Sequence, residues 1–470
     1  MLSFCDSARD RDVLITGAGA ISPPGTNLQA AWSALISGAT ACRALSPLEV
    51  PGAQCLSPAQ GIRLNGAPVD HTEVQRRCHR LAILQNLGKA YLSAVIREPV
   101  LAMTAVALDE ALRHAGLMLP LHNAQRTAVL FGGSKGGLAT AERLMQSLMQ
   151  PSQPVRELAN VRYAPADVES VAMQDRLPTA DNQQPSPLLN STDFAAAFNH
   201  AFTTDTASRL IVEATGAEGP NICPVAACAT GLVSILQGAA LVHSGQCDVC
   251  LVGSADAALR SSVIASFHRL QVLSRNTNAA DACRPFDIDR DGFVIGDGAA
   301  VLVLESRRHA RRRGARALAQ ILGGGWLSDP TGITQIDESG TVITELLRRS
   351  MNTVGASPSV LSVHGTGTES NDLAEARGIH RACTSNPPTC FAVKGALGHL
   401  LGAAGSVEMA LVAAGIAAGL HPGTRNFQNA DPRCLIPVAT ETRAVSRRDV
   451  WGKLSLGFGG HAACGLFGPA

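Results

Sequence analysis

Residues 219–247 contain no Asp, Glu, Lys or Arg. A stretch of this length without charge is enclosed on every side by protein or by lipid. Pro224, several glycines and Gln237 break it up, so it does not supply the roughly 20 uninterrupted apolar residues that a bilayer-spanning helix needs. It reads instead as a buried unit: an apolar strand-like run, a corner of small residues, then a helix, in ICPVAACATGLVSILQGAALV. A second uncharged run, 409–424, is too short to span a bilayer. No membrane partner is expected.

The rest of the chain repeats this alternation. Short apolar or β-branched runs (DVLITG, RTAVLFGG, CDVCLVGSAD, AAVLVLE, LSVHGTG, GKLSLGFGG) are separated by Ala/Leu-rich helical stretches such as TAVALDEALRHAG and ITELLRRSMNTVG. This pattern predicts an α/β architecture with buried sheets. Many of the 45 glycines stand where the runs end, which suits tight turns and close backbone approach. The length of 470 residues allows two to four domains or one large double unit. A formal net charge of +1 argues against a nucleic-acid binder working through general electrostatics. The N-terminus lacks a long apolar segment behind a basic start, so secretion is not expected and a cytoplasmic location is.

Chemistry concentrates at Cys228, placed where the strand-like run turns into a helix. Unpaired amides and the positive dipole end of that helix favour thiolate over thiol, which predicts an activated nucleophile. Ala226, Ala227, Ala229 and Gly231 permit a sharp corner and close approach of a ligand. Two histidines lie in glycine-rich turns, His364 in VHGTGT and His399 in VKGALGHLLGAAG. One alone would read as a packed residue; together they offer the acid/base and electrostatic partners of thioester chemistry. Only four lysines stand against 35 arginines, and one of them, Lys394, precedes His399 by five positions. An ammonium there would keep His399 neutral, as a hydrogen-bond donor. Phe458, between glycines in LSLGFGGHAACG, suggests a mobile loop whose amide points into a site and whose ring gates it.

Other features read more plainly. The thirteen Cys residues are scattered without the spacing of a disulfide framework or zinc ribbon, and reduced thiols are expected. Cys247 and Cys250 have CxxC spacing but no second pair to complete a metal site, so burial is the expected role. The basic run SRRHARRRGARA, with Arg307, Arg308, Arg311, Arg312, Arg313 and Arg316, reads as a solvated helix face, with a docking patch for an acidic partner as the alternative. Residues 150–191 are rich in Pro, Gln, Asn and Asp and read as a long surface excursion. Residues 86–100 have a helical pattern and read as a second insertion, placed to cover an entrance.

An ordered series of motifs runs over most of the chain: VLITGAGAISPPG, AACATG, RPFDIDRDGFVIGDGAAVLVLE, HGTGT, KGALGHLLGAAGSVE and GFGGHAA. In these motifs the chain resembles a β-ketoacyl-acyl carrier protein synthase of the elongating type, a condensing enzyme of the thiolase superfamily. The resemblance implies a thiolase-like fold, two similar α/β halves layered α-β-α-β-α, with 11–305 carrying the nucleophile and 306–470 the histidines. It implies decarboxylative Claisen condensation of an acyl thioester, held on Cys228, with malonyl-acyl carrier protein, in fatty acid or polyketide synthesis. His364 and His399 would assist decarboxylation, Lys394 would support the His399 network, and Glu408 would organise those groups from behind. Thr366 and Thr368 would bind the phosphopantetheine arm. The amides of Cys228 and Phe458 would form an oxyanion hole.

The implied partners are an acyl carrier protein, which brings its own 4′-phosphopantetheine, and a second copy of the chain in a homodimer. No metal or diffusible cofactor is implied. With no acyltransferase or carrier segment after the condensing unit, a free-standing enzyme is expected. The family commonly has Ser after the Lys and Thr-Asn after FGG, where this chain has Gly395 and His461-Ala462; these departures bear on pocket shape and substrate choice. A non-catalytic chain-length-factor-like partner subunit is the competing reading, and retention of Cys228 speaks against it. A biosynthetic thiolase or a Cys-His-Asn relative fits less well, because the histidine pair is complete.

Overall fold

Ten strands carry the architecture: β1 (Val13–Ile21), β2 (Thr127–Gly132), β3 (Asn221–Ile222), β4 (Val249–Asp256), β5 (Gly298–Ser306), β6 (Ala319–Ser328), β7 (Val360–Ser362), β8 (Thr389–Phe391), β9 (Trp451–Gly457) and β10 (His461–Gly468). Five helices position the site: α1 (Pro99–Ala115), α2 (Thr230–His243), α3 (Thr341–Val354), α4 (Glu369–Ala382) and α5 (Ala404–Ala418). The structure is a computed structural model and describes residues 1–4, 10–47, 49–53, 64–85, 87–149 and 198–470.

The strands fall into two sets with one topology. The first runs β1-β5-β4-β2-β3 and the second β6-β10-β9-β7-β8, joined where β1 pairs antiparallel with β6. In the first set β1/β5 and β5/β4 are antiparallel, while β4/β2 and β2/β3 are parallel. The second set repeats this, antiparallel for β6/β10 and β10/β9, parallel for β9/β7 and β7/β8. Parallel neighbours need crossover connections, and helices supply them. The division expected between residues 305 and 306 falls at the C-terminal end of β5.

The helices complete five layers. On one outside face α1 lies across β1 and β5, and on the other α3 lies across β6 and β10. The glycines of VLITGAGA explain how α1 comes so near: a Cβ on Gly17 would sit 2.4 Å from Ala111 O and one on Gly19 2.1 Å from Ala107 O. Between the two sets lie α2 and α5, each touching strands of both halves. Apart from Glu408 in α5, their sequences are uncharged and largely apolar all round, as burial on every side requires. Residues 401–418 are apolar enough to cross a bilayer by composition, yet 83% of that window is buried inside the molecule.

The two central helices begin alike. A 3₁₀ turn, Ala227–Ala229, leads into α2, and another, Leu401–Ala403, leads into α5. Each turn opens on a non-glycine residue in the left-handed region, Ala227 at φ 46° and Leu401 at φ 48°. The helices touch at glycines. A Cβ on Gly231 would sit 2.2 Å from Ser406 N, and one on Gly405 2.6 Å from Leu232 N.

Two expectations change, and a third has no counterpart among the described residues. The helical pattern of 86–100 resolves into a helix at Lys89–Arg97 followed by the first turn of α1. Tyr91 and Val95 bury themselves in the cluster around α1, so this segment thickens an outer layer instead of covering an entrance. The 150–191 excursion lies outside the described residues. Half of the basic run is tied down: Arg307 meets Asp12 at 3.1 Å, Arg308 lies 3.6 Å from Asp248, and Arg313 Nε donates to Glu305 at 2.8 Å. Arg311, Arg312 and Arg316 are exposed. Cys247 and Cys250 are both fully buried.

The contact at Gly231 yields a stability test. Gly231→Ala is expected to cost about 2–3 kcal/mol, because backbone must move to admit the methyl group. Gly38→Ala is the control: its φ is 72° and nothing lies within 4 Å of the new carbon, so only the left-handed conformation is penalised, by about 1 kcal/mol. Chemical denaturation of both variants measures the difference.

Candidate active site

Cys228 occupies the 3₁₀ turn ahead of α2. Thr230 braces the corner, its hydroxyl donating to Ala227 O at 2.7 Å and accepting from Ala226 N at 2.9 Å. Strain at Ala227 is tolerated because the surroundings over-determine it. The side chain of Cys228 is half-buried and borders a cavity of about 860 Å³ that Phe267, Phe293, His364, His399 and Phe458 also line. Burial pushes its thiol up to about 11; Lys135 and then Lys394 pull it down, while Asp256 and Glu408 oppose them. A helix dipole contributes at most about 2 kcal/mol, or about 1.5 pH units. The expected resting thiolate is therefore corrected: desolvation outweighs the helix end, and the group rests as a thiol at neutral pH.

His364 follows β7, and its loop is fastened from α4. Glu375 accepts the amides of His364 and Gly365, each at 2.6 Å, and Asp372 accepts those of Phe286 at 2.7 Å and Gly367 at 3.2 Å. Three residues apart on one helix, these carboxylates share a face. Burial raises both, Glu375 to about 7. Through Phe286 and the bond from Gly292 N to Gly367 O at 2.9 Å, the RPFDIDRDG segment is stitched to the HGTGT loop.

Lys394 Nζ lies 3.4 Å from His364 Nδ1, donates to His364 O, and donates to Glu408 Oε1 at 2.7 Å. Its hydrogen bonds run to His364, while its charge also bears on His399 and adds to burial in keeping that imidazole neutral, as expected from the sequence. The hydrogen bonds miss His399 for a geometric reason: a short buried helix, Lys394–Leu397, ends at Gly398 with φ 71°, and the chain turns before His399. Since an ammonium has no acceptor, His364 Nδ1 is the bare nitrogen and Nε2 carries the proton. His399 N donates to Val294 O at 2.7 Å, its ring meets Phe293 edge-on at 4.9 Å, and its Nδ1 has no hydrogen-bond partner among the described residues. The two imidazole centroids are 5.4 Å apart and nearly perpendicular. Burial first, then the charge of Lys394, holds both well below the ordinary histidine value. Both are neutral at pH 7.

Thr366 and Thr368 line the same cavity, their hydroxyls 2.9 Å apart. Phe458 sits in the turn between β9 and β10, half-buried and stacked on Phe267 at 6.2 Å. A Cβ on Gly457 would lie 3.0 Å from Cys228 N, so this turn abuts the Cys228 corner. The turn is pinned by Gly459 N to Ile333 O and Asp329 N to Gly460 O, both 2.7 Å. Cys228, His364, His399, Phe458, Thr366 and Thr368 therefore share one cavity, and Lys394 and Glu408 stand behind it.

The β-ketoacyl synthase N-terminal domain model matches residues 10–310 and the C-terminal domain model residues 318–428. This ketosynthase belongs to the β-ketoacyl synthase family. It is 30% identical over 485 residues to a mitochondrial 3-oxoacyl-[acyl-carrier-protein] synthase of Arabidopsis thaliana, covering 97% of this chain and 93% of that protein. It is 27% identical to a putative polyketide β-ketoacyl synthase 1 of Streptomyces cyaneus, covering 98% and 99%. Among solved structures, an ishigamide ketosynthase/chain length factor superposes with a TM-score of 0.75 at 26% identity, over 98% of this chain and all of that one. A type II polyketide ketosynthase in complex with its acyl-carrier protein superposes with the same TM-score at 21% identity, over 98% and 100%, and shows the shared thiolase-like fold. The ketosynthase is a condensing enzyme of fatty acid or polyketide synthesis.

Its departures have local reasons. A Cβ on Gly395 would lie 2.6 Å from Arg425 O and 3.0 Å from Cys283 O, so the backbone packing here leaves no room for Ser. His461 opens β10 half-buried, and both it and the buried Ala462 border the cavity. Sequence reasoning missed Lys135, Asp256, Asp372, Glu375 and Lys453. The rarity of lysine could have found two of these, since three of the four lysines (Lys135, Lys394 and Lys453) crowd this site.

The raised thiol sets a pH dependence. With Cys228 protonated up to about pH 11, its alkylation by iodoacetamide is expected to rise about tenfold per pH unit between pH 6 and 9. A plateau near pH 7, read by peptide mass spectrometry, would show a resting thiolate.

Proposed function

We propose that Cys228 is the acylated nucleophile and that His364 and His399 drive decarboxylation of a malonyl-acyl carrier protein, giving a 3-oxoacyl-acyl carrier protein. The observation that carries this reading is the shared cavity: a sulfur from the first half meeting two neutral imidazoles from the second.

The acyl group transfers from the carrier's phosphopantetheine sulfur to Cys228 Sγ. The thiol loses its proton as the carrier's thiol takes one. Malonyl-carrier then enters with its arm against Thr366 and Thr368. Its thioester oxygen accepts from His364 Nε2–H and from His399. As carbon dioxide leaves, the electron pair of the broken C–C bond forms an enolate, whose negative oxygen those donors hold. The enolate carbon attacks the acyl carbon on Cys228, and the tetrahedral oxyanion lies against the amides of Cys228 and Phe458. Collapse releases the Cys228 thiolate, which is reprotonated. Neutral imidazoles suit this step, because each donates a proton in a hydrogen bond without having to lose it.

The phosphopantetheine belongs to the carrier, and nothing in this sequence of steps asks for another cofactor. The reading includes a homodimer working in the cytoplasm, the division into halves at residues 305/306, and Phe458 as a gate over the cavity. Its stacking on Phe267 at the edge of the cavity supports that part of the reading.

The experiment separates the two half-reactions. Incubation with acyl-carrier protein should add one acyl mass at Cys228, and Cys228→Ala should abolish it. His364→Ala and His399→Ala should each slow malonyl-carrier decarboxylation on the order of 10² to 10³ while leaving Cys228 acylation within about tenfold. An unmodified Cys228 after prolonged incubation would favour a partner subunit without catalysis of its own.

A further inference from the structure

Lys453 lies on β9, opposite Ser362 of β7 in the parallel register, two residues before His364. Its side chain is 0% exposed. Three oxygens surround Nζ: Glu408 Oε2 at 2.8 Å, Val363 O at 3.4 Å, and Leu454 O. An ammonium has three N–H donors and no acceptor, and the cage offers acceptors only. A neutral amine would turn its lone pair toward one of those oxygens. Desolvation and Lys394 lower the proton affinity of Lys453, while Glu408 and Glu375 hold the proton on. Burial raises the thiol of Cys464, which pairs with Leu454 from β10, and the charge of Lys453 lowers it.

Lys394 and Lys453 grip the two oxygens of one carboxylate, Glu408. Glu408 is thereby held ionised despite full burial. Two cations and one anion leave one positive charge in excess. That excess stands behind His364 and His399, with the carboxyls of Glu375 and Asp372 both raised by burial and the former at about 7. Neither imidazole touches Lys453, yet its charge bears on both.

We propose that Lys453 is a positioning residue: a built-in buried cation that fixes Glu408, and through it Lys394, against His364, and that supplies the surplus positive charge behind both imidazoles where the extender's oxyanion develops. This rests on the decarboxylation reading above for its catalytic consequence, and on the cage alone for its electrostatic one.

The test uses two variants of the full chain. Lys453→Met keeps the length and removes the charge. Imidazole NMR of wild type and variant should show His364 and His399 titrating about one pH unit higher or more in the variant. Malonyl-carrier decarboxylation should fall about tenfold to a hundredfold, with Cys228 acylation changed less than about threefold. Lys453→Ala opens the oxygen cage, and millimolar ammonium or methylammonium should restore decarboxylation about tenfold, whereas tetramethylammonium, which has no N–H, should not. Unchanged histidine titration in Lys453→Met would overturn the proposal. So would an equal loss of both half-reactions in the two variants without rescue, which marks a purely structural lysine. A wild type that neither acylates nor decarboxylates would defeat the condensing reading, and the titration would still decide Lys453.

Discussion

Two helices in the middle layer meet backbone to backbone, and the site depends on how near they come. Gly231 of α2 stands against Ser406 N, and Gly405 of α5 against Leu232 N. The helices start from similar 3₁₀ turns, one holding Cys228 and the other following His399 by two residues. A side chain at either glycine would wedge the two helices, and the turns that start them, apart. The topology repeats on both sides of this contact, strand for strand, so Cys228 after β3 and His399 after β8 reach the same place from equivalent positions in the two halves, and His364 joins them from the end of β7.

The electrostatics of the site follow from burial more than from any single partner. Desolvation is the largest influence on Cys228, His364 and His399, and it drives each toward its neutral form. Charge is kept just behind the reacting groups. Lys394 and Lys453 sandwich Glu408, with no water-exposed atom of consequence on any of the three. Such a buried cluster is costly to desolvate and is retained where positioning repays it. The neighbouring loop shows the same logic, with Asp372 and Glu375 accepting amides and so fixing the backbone on which His364 stands.

Much of the site could be read from residue type and neighbourhood. Cys228 announced itself by an uncharged strand-turn-helix, and His364, His399 and Phe458 by their glycines, because close backbone approach leaves a compositional mark. Lys394 was found through rarity, and its charge does add to burial in depressing His399, but its hydrogen bonds to His364 were not foreseen, since five residues along a chain do not say which way a turn at Gly398 will send the next side chain. Glu375 and Asp372 were passed over because acids on a helix are ordinary in sequence, and only the fold shows that their face looks inward onto the HGTGT loop. Lys453 lay hidden in a strand pattern where an inward-pointing lysine has no distinctive periodicity.

What the sequence alone determined is the class of elements, the buried character of the central helices, and the identity of the groups able to do thioester chemistry. These are local properties, set by hydrophobic period, turn residues and side-chain type. Tertiary structure decided the rest: that the thiol is desolvated enough to rest protonated, that Lys394 serves His364, and that a second ammonium stands behind Glu408. Proton affinities and hydrogen-bond partners depend on which distant segments exclude water from a point and which charges they leave there, and that is settled only when the two halves close on each other.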